Sequence, residues 1–203
     1  MNTIINDLAL NILDTSWIEY VAVIFGILSV WFARKENILV YPTGIINVLI
    51  FVYLCYDAGL YANMGINIFY FFMSVYGWYS WTRKDANAKT LAISRCGLTY
   101  GAVMIALLLV LFILLRYVLM HYTDSTVPIV DAFTTAVFII GMWLMARKKV
   151  ENWIAWIIGD VICIPLYAFQ GLIFSSLQFL IFLIIAIMGY ISWRRKSLSA
   201  ATA

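Results

Sequence analysis

The sequence predicts an all-α integral membrane protein of seven transmembrane helices in a 3+1+3 arrangement. Three observations carry that prediction. The 203-residue chain is 65% hydrophobic and only 11% charged, whereas a soluble domain is roughly half apolar and about a quarter charged. Its mean hydropathy of +0.97 agrees. This composition excludes a soluble globular domain, a disordered chain and a nucleic-acid binder. Seven apolar segments approach the length that a bilayer crossing requires, about 20 residues; they are 17–33, 38–56, 60–81, 98–119, 129–146, 153–170 and 172–193. Finally, the connections between those segments sort the basic residues twelve to one.

Residues 1–16 lack a basic n-region, so they read as a short extracytoplasmic tail and not as a secretory signal. The first span opens on Trp17 and ends in Trp31-Phe-Ala-Arg-Lys35. Pro42 sits where the second span begins, and Pro128 opens the fifth; proline suits a first helical turn. The third span ends in Tyr76-Gly-Trp-Tyr-Ser-Trp81. Residues 82–127 supply a basic loop and the fourth span as a connector helix. The fifth span ends in Trp143-Leu-Met-Ala-Arg-Lys148, and the sixth contains Pro165, which frees a carbonyl and predicts a kink. The seventh ends at Trp193, ahead of a 194–203 tail. Trp17, Tyr41, Trp78, Trp81, Trp153 and Trp193 lie at span ends, as expected for rings at headgroup level.

With seven spans, one side receives Arg34, Lys35, Arg83, Lys84, Lys89, Arg95, Arg147, Lys148, Lys149, Arg194, Arg195 and Lys196, and the other only Arg116. The positive-inside rule makes the rich side cytoplasmic, with the N-terminus outside and the C-terminus inside. The first and last triplets of spans are similar. Glu19 and Asp131, and likewise Trp81 and Trp193, stand 112 residues apart, and Asn47 and Asp160 stand 113 apart. This predicts repeats 17–81 and 128–193. The connector restores their orientation, giving parallel repeats about an axis normal to the membrane, a known transporter plan.

Three acids fall within spans. Glu19 and Asp131 lie near the outer ends, where hydration or a bond to a neighbouring helix suffices. Asp160 is deep, and no base occurs at comparable depth. A charge at a helix centre costs about 2.5–3.5 kcal/mol. Asp160 is therefore either bonded to Asn47 across the pseudo-twofold or a counter-ion for a cationic ligand. Trp156 lies one turn earlier on the same face, and an aromatic plane beside a carboxylate suits a flat cation. Tyr41, Asn47, Tyr53, Asn63, Asn67 and Trp153 complete the candidate substrate-binding set. Cys55, Cys96 and Cys163 show no metal or disulfide spacing. The one histidine, His121, reads as a loop residue. Metal chemistry and Ser-His-Asp or Cys-His catalysis lack their parts, and no ATP-binding loop occurs. No enzyme activity, cofactor or nucleic-acid partner is expected.

Tyr41-Pro-Thr-Gly-Ile-Ile-Asn47, Leu60-Tyr-Ala, Tyr76-Gly-Trp-Tyr-Ser-Trp81 and Arg147-Lys-Lys-Val-Glu-Asn-Trp153 resemble the Pnu family of bacterial vitamin transporters (PnuC-like). The resemblance extends over about residues 17–196. It implies a seven-helix fold related to the SWEET proteins and multi-pass placement in the bacterial inner membrane. It also implies facilitated diffusion of a small-molecule vitamin, with trapping by a cytoplasmic kinase, and it allows a homotrimer. The nicotinamide riboside branch carries Trp-x-x-x-Asn in the sixth helix; here the matching positions are Trp156 and Asp160. A carboxylate suits the permanent thiazolium of thiamine, so the resemblance points first to the thiamine branch, PnuT. Nicotinamide riboside, also a cation, comes second, and neutral riboflavin last. Proton coupling through Asp160 or Glu19 is the alternative to pure uniport.

Overall fold

Ser16 and Glu19 start the first helix with a capping box. Ser16 N–H donates to Glu19 Oε2 at 3.2 Å, and Glu19 N–H donates to Ser16 Oγ at 3.4 Å. This is where the first in-span acid goes: it satisfies a helix terminus. The computed structural model describes residues 16–84, 90–123 and 125–201. Seven helices follow one another: α1 Trp17–Arg34, α2 Val40–Asp57, α3 Tyr61–Thr82, α4 Leu98–Tyr122, α5 Pro128–Ala146, α6 Asn152–Phe169 and α7 Ile173–Ala201. The tail predicted for 1–16, apart from Ser16, and the charges Asp7, Asp14, Asp85, Lys89 and Asp124 lie outside the described residues.

Among the described residues, six helices are long and apolar enough to cross a membrane. The exception is α3, 22 residues long but diluted by Asn63, Asn67, Ser74, Ser80 and four tyrosines, so six of the seven expected spans are apolar enough on composition alone. α7 does not stop at Trp193; it continues through Arg194-Arg-Lys196 to Ala201, because nothing in that stretch breaks a helix. His121 belongs to the last turn of α4, where its Nδ1 lies 2.9 Å from Tyr117 O and its ring stacks on Tyr117. α6 runs unbroken past Pro165, and Ser176 Oγ of α7 donates to the neighbouring Ile164 carbonyl at 2.9 Å. Asp131 begins α5 by accepting from Ser125 Oγ at 2.6 Å.

Consecutive helices pack together, except α3 with α4; α1 also packs on α7, and α3 on α5. Among the described residues α4 packs on α5 alone, and most of its apolar side chains are exposed. The loop before α4 is docked as well. Ser94 exchanges backbone hydrogen bonds with Lys148 and Val150 at 3.0 Å each, and Cys96 N–H donates to Glu151 Oε2 at 2.9 Å.

Several local structures recur at a spacing of 112 residues, the separation of Glu36 and Lys148. Glu36 (φ 59°) and Lys148 (φ 48°) both turn through the left-handed region after their helices, and Gly59 (φ 71°) and Gly171 (φ 78°) do so one helix later. Trp81 Nε1 donates to Met145 O and Trp193 Nε1 to Ala33 O, both at 3.1 Å. The buried ring of Tyr41 fills the space where a Gly77 Cβ would stand, as Trp153 does at Gly189. This register pairs Asn47 with Gly159, not with Asp160, whose counterpart is Val48. The 113-residue match is thereby corrected by one position.

Glu36 also binds the halves of the chain together. Lys148 Nζ lies 2.7 Å from Glu36 Oε1, and Lys196 Nζ lies 2.9 Å from Oε2. Lys148 is 5% exposed and sits over the Trp81 ring, 4.6 Å from its centroid. Burial alone would raise the Glu36 carboxyl, but hydrogen bonds and charge from Lys148 and Lys196 outweigh it and hold it below the ordinary 4.5. A lowered pKa means that this stabilisation is present above the unfolded value and is lost as pH falls through the folded one. Glu36→Gln should therefore cost about 2–3 kcal/mol at neutral pH, less than a fully buried pair because Glu36 is partly exposed. Its melting temperature should also fall less than the parent's between about pH 6 and about pH 3. Thermal unfolding across that range checks both; parallel pH profiles would exclude Glu36 as the titrating group.

Candidate functional site

Midway along α6, Trp156 and Asp160 share one face. Asp160 is 2% exposed. Its Oδ2 is buried and has no hydrogen-bond partner among the described residues. Leaving such an atom unpaired is costly, about 1–3 kcal/mol, so the position calls for a partner that the folded chain does not supply.

Next to it, Gly159 makes room for Phe138 of α5; a Cβ at 159 would overlap that ring. Phe138 stacks on Trp156 with centroids 5.4 Å apart at 27°, and on Phe179 of α7 at 6.3 Å and 15°. Phe179 in turn stacks on Tyr167 at 5.2 Å and 15°. Three helices thus contribute four rings in near-parallel planes, and Asp160 stands one turn after Trp156 on the same helix. An ion pair and the faces of aromatic rings are the two interactions that hold a flat organic cation.

Asn47 reaches this wall from α2. Its Nδ2 donates to Ala22 O at 2.7 Å, and no bond to Asp160, one of the two alternatives left by the sequence, is present among the described residues. Gly26 provides the space: a Cβ there would stand 2.9 Å from Asn47 Nδ2 and 3.6 Å from Phe182 Cζ. Phe182 meets Phe179 edge-on at 5.9 Å. Asn47 therefore approaches the aromatic wall across Gly26 and Phe182.

The other sequence-predicted residues lie elsewhere. Tyr41 and Trp153 are buried in a cluster with Trp81 and Trp193, against which Trp156 and Tyr70 also pack. The Tyr41 hydroxyl and Trp153 Nε1 are buried without hydrogen-bond partners among the described residues. Tyr53 is 57% exposed. Asn63 is exposed, and Asn67 Nδ2 donates to the Asn63 carbonyl at 2.9 Å within α3. Sequence reasoning missed Phe138 and Phe179. The 112-residue alignment could have found Phe138: it sets Gly26 against Phe138 and Asn47 against Gly159, a reciprocal exchange of large and small residues.

Comparison with known proteins agrees with this architecture. A family profile described as "Nicotinamide mononucleotide transporter" matches residues 16–195. The nicotinamide riboside transporter PnuC of Escherichia coli (strain K12) is 30% identical over 205 residues, covering 89% of this chain and 86% of that protein. The PnuC of Neisseria mucosa is 27% identical, covering 89% and 73%. The riboflavin/roseoflavin transporter RibM of Streptomyces davaonensis is 25% identical, covering 89% and 86%. In fold, the chain matches the crystal structure of a vitamin B3 transporter, PnuC, with a TM-score of 0.74 at 24% identity, over 97% of this chain and 88% of that one. The chain therefore belongs to the nicotinamide mononucleotide transporter family of Pnu-type vitamin transporters, as a multi-pass membrane transporter and not an enzyme.

Proposed function

We propose that the chain takes up nicotinamide riboside by facilitated diffusion. The observation that carries this reading is the buried, unpartnered Asp160 Oδ2 one helical turn from Trp156, whose ring stacks with Phe138 and through it with Phe179; a carboxyl with aromatic rings suits a pyridinium ring. Sequence reasoning alone ranked thiamine first. The relatives named as nicotinamide riboside transporters support the reverse order. Thiamine remains the second reading, favoured by one observation: Asp160 occupies the position where the nicotinamide riboside motif has Asn. RibM is a relative, but a neutral isoalloxazine gains nothing from the carboxyl.

In this reading residues 17–81 and 128–193 form two parallel three-helix repeats related to the SWEET plan, and α4 connects them. The helix contacts support it: α1 on α7 and α3 on α5 are one contact seen twice when α1 corresponds to α5 and α3 to α7. Glu36 touches its own counterpart Lys148, and Trp81 lies 5.9 Å from its counterpart Trp193. Residues that meet their equivalents lie on the pseudo-twofold, so that axis runs through the basic end. With α3 crossing, the N-terminus is outside and the C-terminus cytoplasmic. Substrate enters at the outer side, and the repeats rock about Asp160 and Asn47. An inside-negative potential drives a cation inward by about 2.3 kcal/mol per 100 mV, and a cytoplasmic kinase makes uptake one-way.

Purified protein should bind nicotinamide riboside at least tenfold more tightly than thiamine, measured by calorimetry with both ligands; the reverse order would install thiamine. Proteoliposomes should show counterflow of labelled substrate with equal pH on both sides. Uptake that requires a proton gradient would replace uniport by proton coupling.

A further inference from the structure

At the basic end of the α1–α7 contact a cleft of about 420 Å³ opens, lined by Arg34, Met188, Ile191, Ser192, Arg195 and Lys196. Met188, Ile191, Ser192 and Arg195 are spaced i, i+3, i+4 and i+7, so one strip of α7 passes from apolar to hydroxyl to cationic. Ile191 and Arg195 are exposed. Lys196 is engaged with Glu36, but among the described residues no acid pairs with Arg34 or Arg195. Arg34 and the adjacent Lys35 lie over the Trp31 ring at 4.7 and 5.0 Å. That is a tryptophan at headgroup depth carrying cations above it.

A guanidinium matches a phosphate with two donors at once. Free phosphate would use the cationic rim and leave the apolar strip bare. A phospholipid uses both: its phosphate meets Arg34 and Arg195, its glycerol oxygens meet Ser192, and an acyl chain lies along Ile191 and Met188. Basic pockets between helices at the membrane surface suit anionic headgroups in this way. We propose that the α1–α7 cleft binds an anionic phospholipid. The site is separate from Asp160 and rests on membrane residence alone, so its test needs no transported substrate.

Detergent-purified full-length protein is titrated with phosphatidylglycerol, phosphatidylcholine or inorganic phosphate while its melting temperature is followed. Phosphatidylglycerol should raise it by roughly 5–10 °C at saturation. Arg194→Gln, next to the cleft but not lining it, should keep that shift. The double variant Arg34→Gln/Arg195→Gln should lose most of it. If the double variant is not recovered, the single variants decide, each expected to lose part of the shift. Equal stabilisation by phosphatidylcholine, stabilisation reproduced by inorganic phosphate, or an undiminished shift in the arginine variants would overturn the site.

Discussion

Asp160→Val will abolish substrate binding and leave the empty protein at least as stable as the parent. The two effects have opposite signs because, in the proposed reading, the carboxyl serves a ligand and not the fold. Its Oδ2 is buried with no partner among the described residues, so removing it relieves a cost of about 1–3 kcal/mol. Valine is the residue that the first repeat already buries at the corresponding position, Val48, so the change is compatible with the local packing. Asp160→Asn keeps the shape and removes the charge. It should weaken binding of a cationic vitamin by about 2–3 kcal/mol, roughly 30- to 150-fold. Calorimetric titration and thermal unfolding on the same preparations separate the outcomes. A valine variant that melts well below the parent would make Asp160 a structural residue, and an asparagine variant with undiminished affinity would end its role as counter-ion.

The second large effect is expected where the repeats are tightest. Gly77→Ala and Gly189→Ala should each cost about 1–3 kcal/mol, a fall of roughly 3–10 °C in melting temperature for a chain of this size. A Cβ at Gly77 would run into the Tyr41 ring, and one at Gly189 would stand 2.6 Å from Trp153. Both rings are almost wholly buried, so neither can swing aside. Gly65, on the same helix as Gly77, is the control. A Cβ there meets nothing within 4 Å, so Gly65→Ala should be neutral or stabilising by about 0.5 kcal/mol. Equal melting temperatures for Gly65→Ala and Gly77→Ala would contradict the packing explanation.

Much of the fold is legible in the chain because a bilayer makes composition and charge decisive. All seven helices begin and end within a few residues of their apolar segments, except α7, whose basic extension is as good a helix former as the span it follows. Trp81 and Trp193 could be paired from their motifs. Their function, each indole donating to the end of a helix in the opposite triplet, could not, because it depends on contacts across 64 and 160 residues. Lys148 illustrates the limit best. In sequence it is one of twelve basic residues marking a side of the membrane; in the structure it is buried against Glu36 and Trp81. In the site, Asp160 and Trp156 were legible because a deep charge is rare and a four-residue step is local. Phe138 and Phe179 were not, since an aromatic residue in an apolar span looks the same whether it faces lipid, core or ligand. Of the two alternatives that the sequence left for Asp160, the bond to Asn47 is absent, since Asn47 Nδ2 donates to the Ala22 carbonyl; the spacing that suggested it was off by one position.

The Glu36–Lys148 contact joins two residues at the same place in their respective triplets. Two copies of either half, brought together around the same axis, would set glutamate against glutamate or lysine against lysine. Within each half the packing of the first two helices also differs: Asn47 lies against Gly26 in one, and Phe138 against Gly159 in the other. The halves are thus complementary and no longer interchangeable. The likeness is kept in the backbone turns and the tryptophan anchors and given up in charge at the basic end and in volume beside Gly26 and Gly159. In the proposed reading, a ligand held by one carboxyl and one ring stack would consequently meet a handed site, with a single preferred orientation, between two similar but unequal halves.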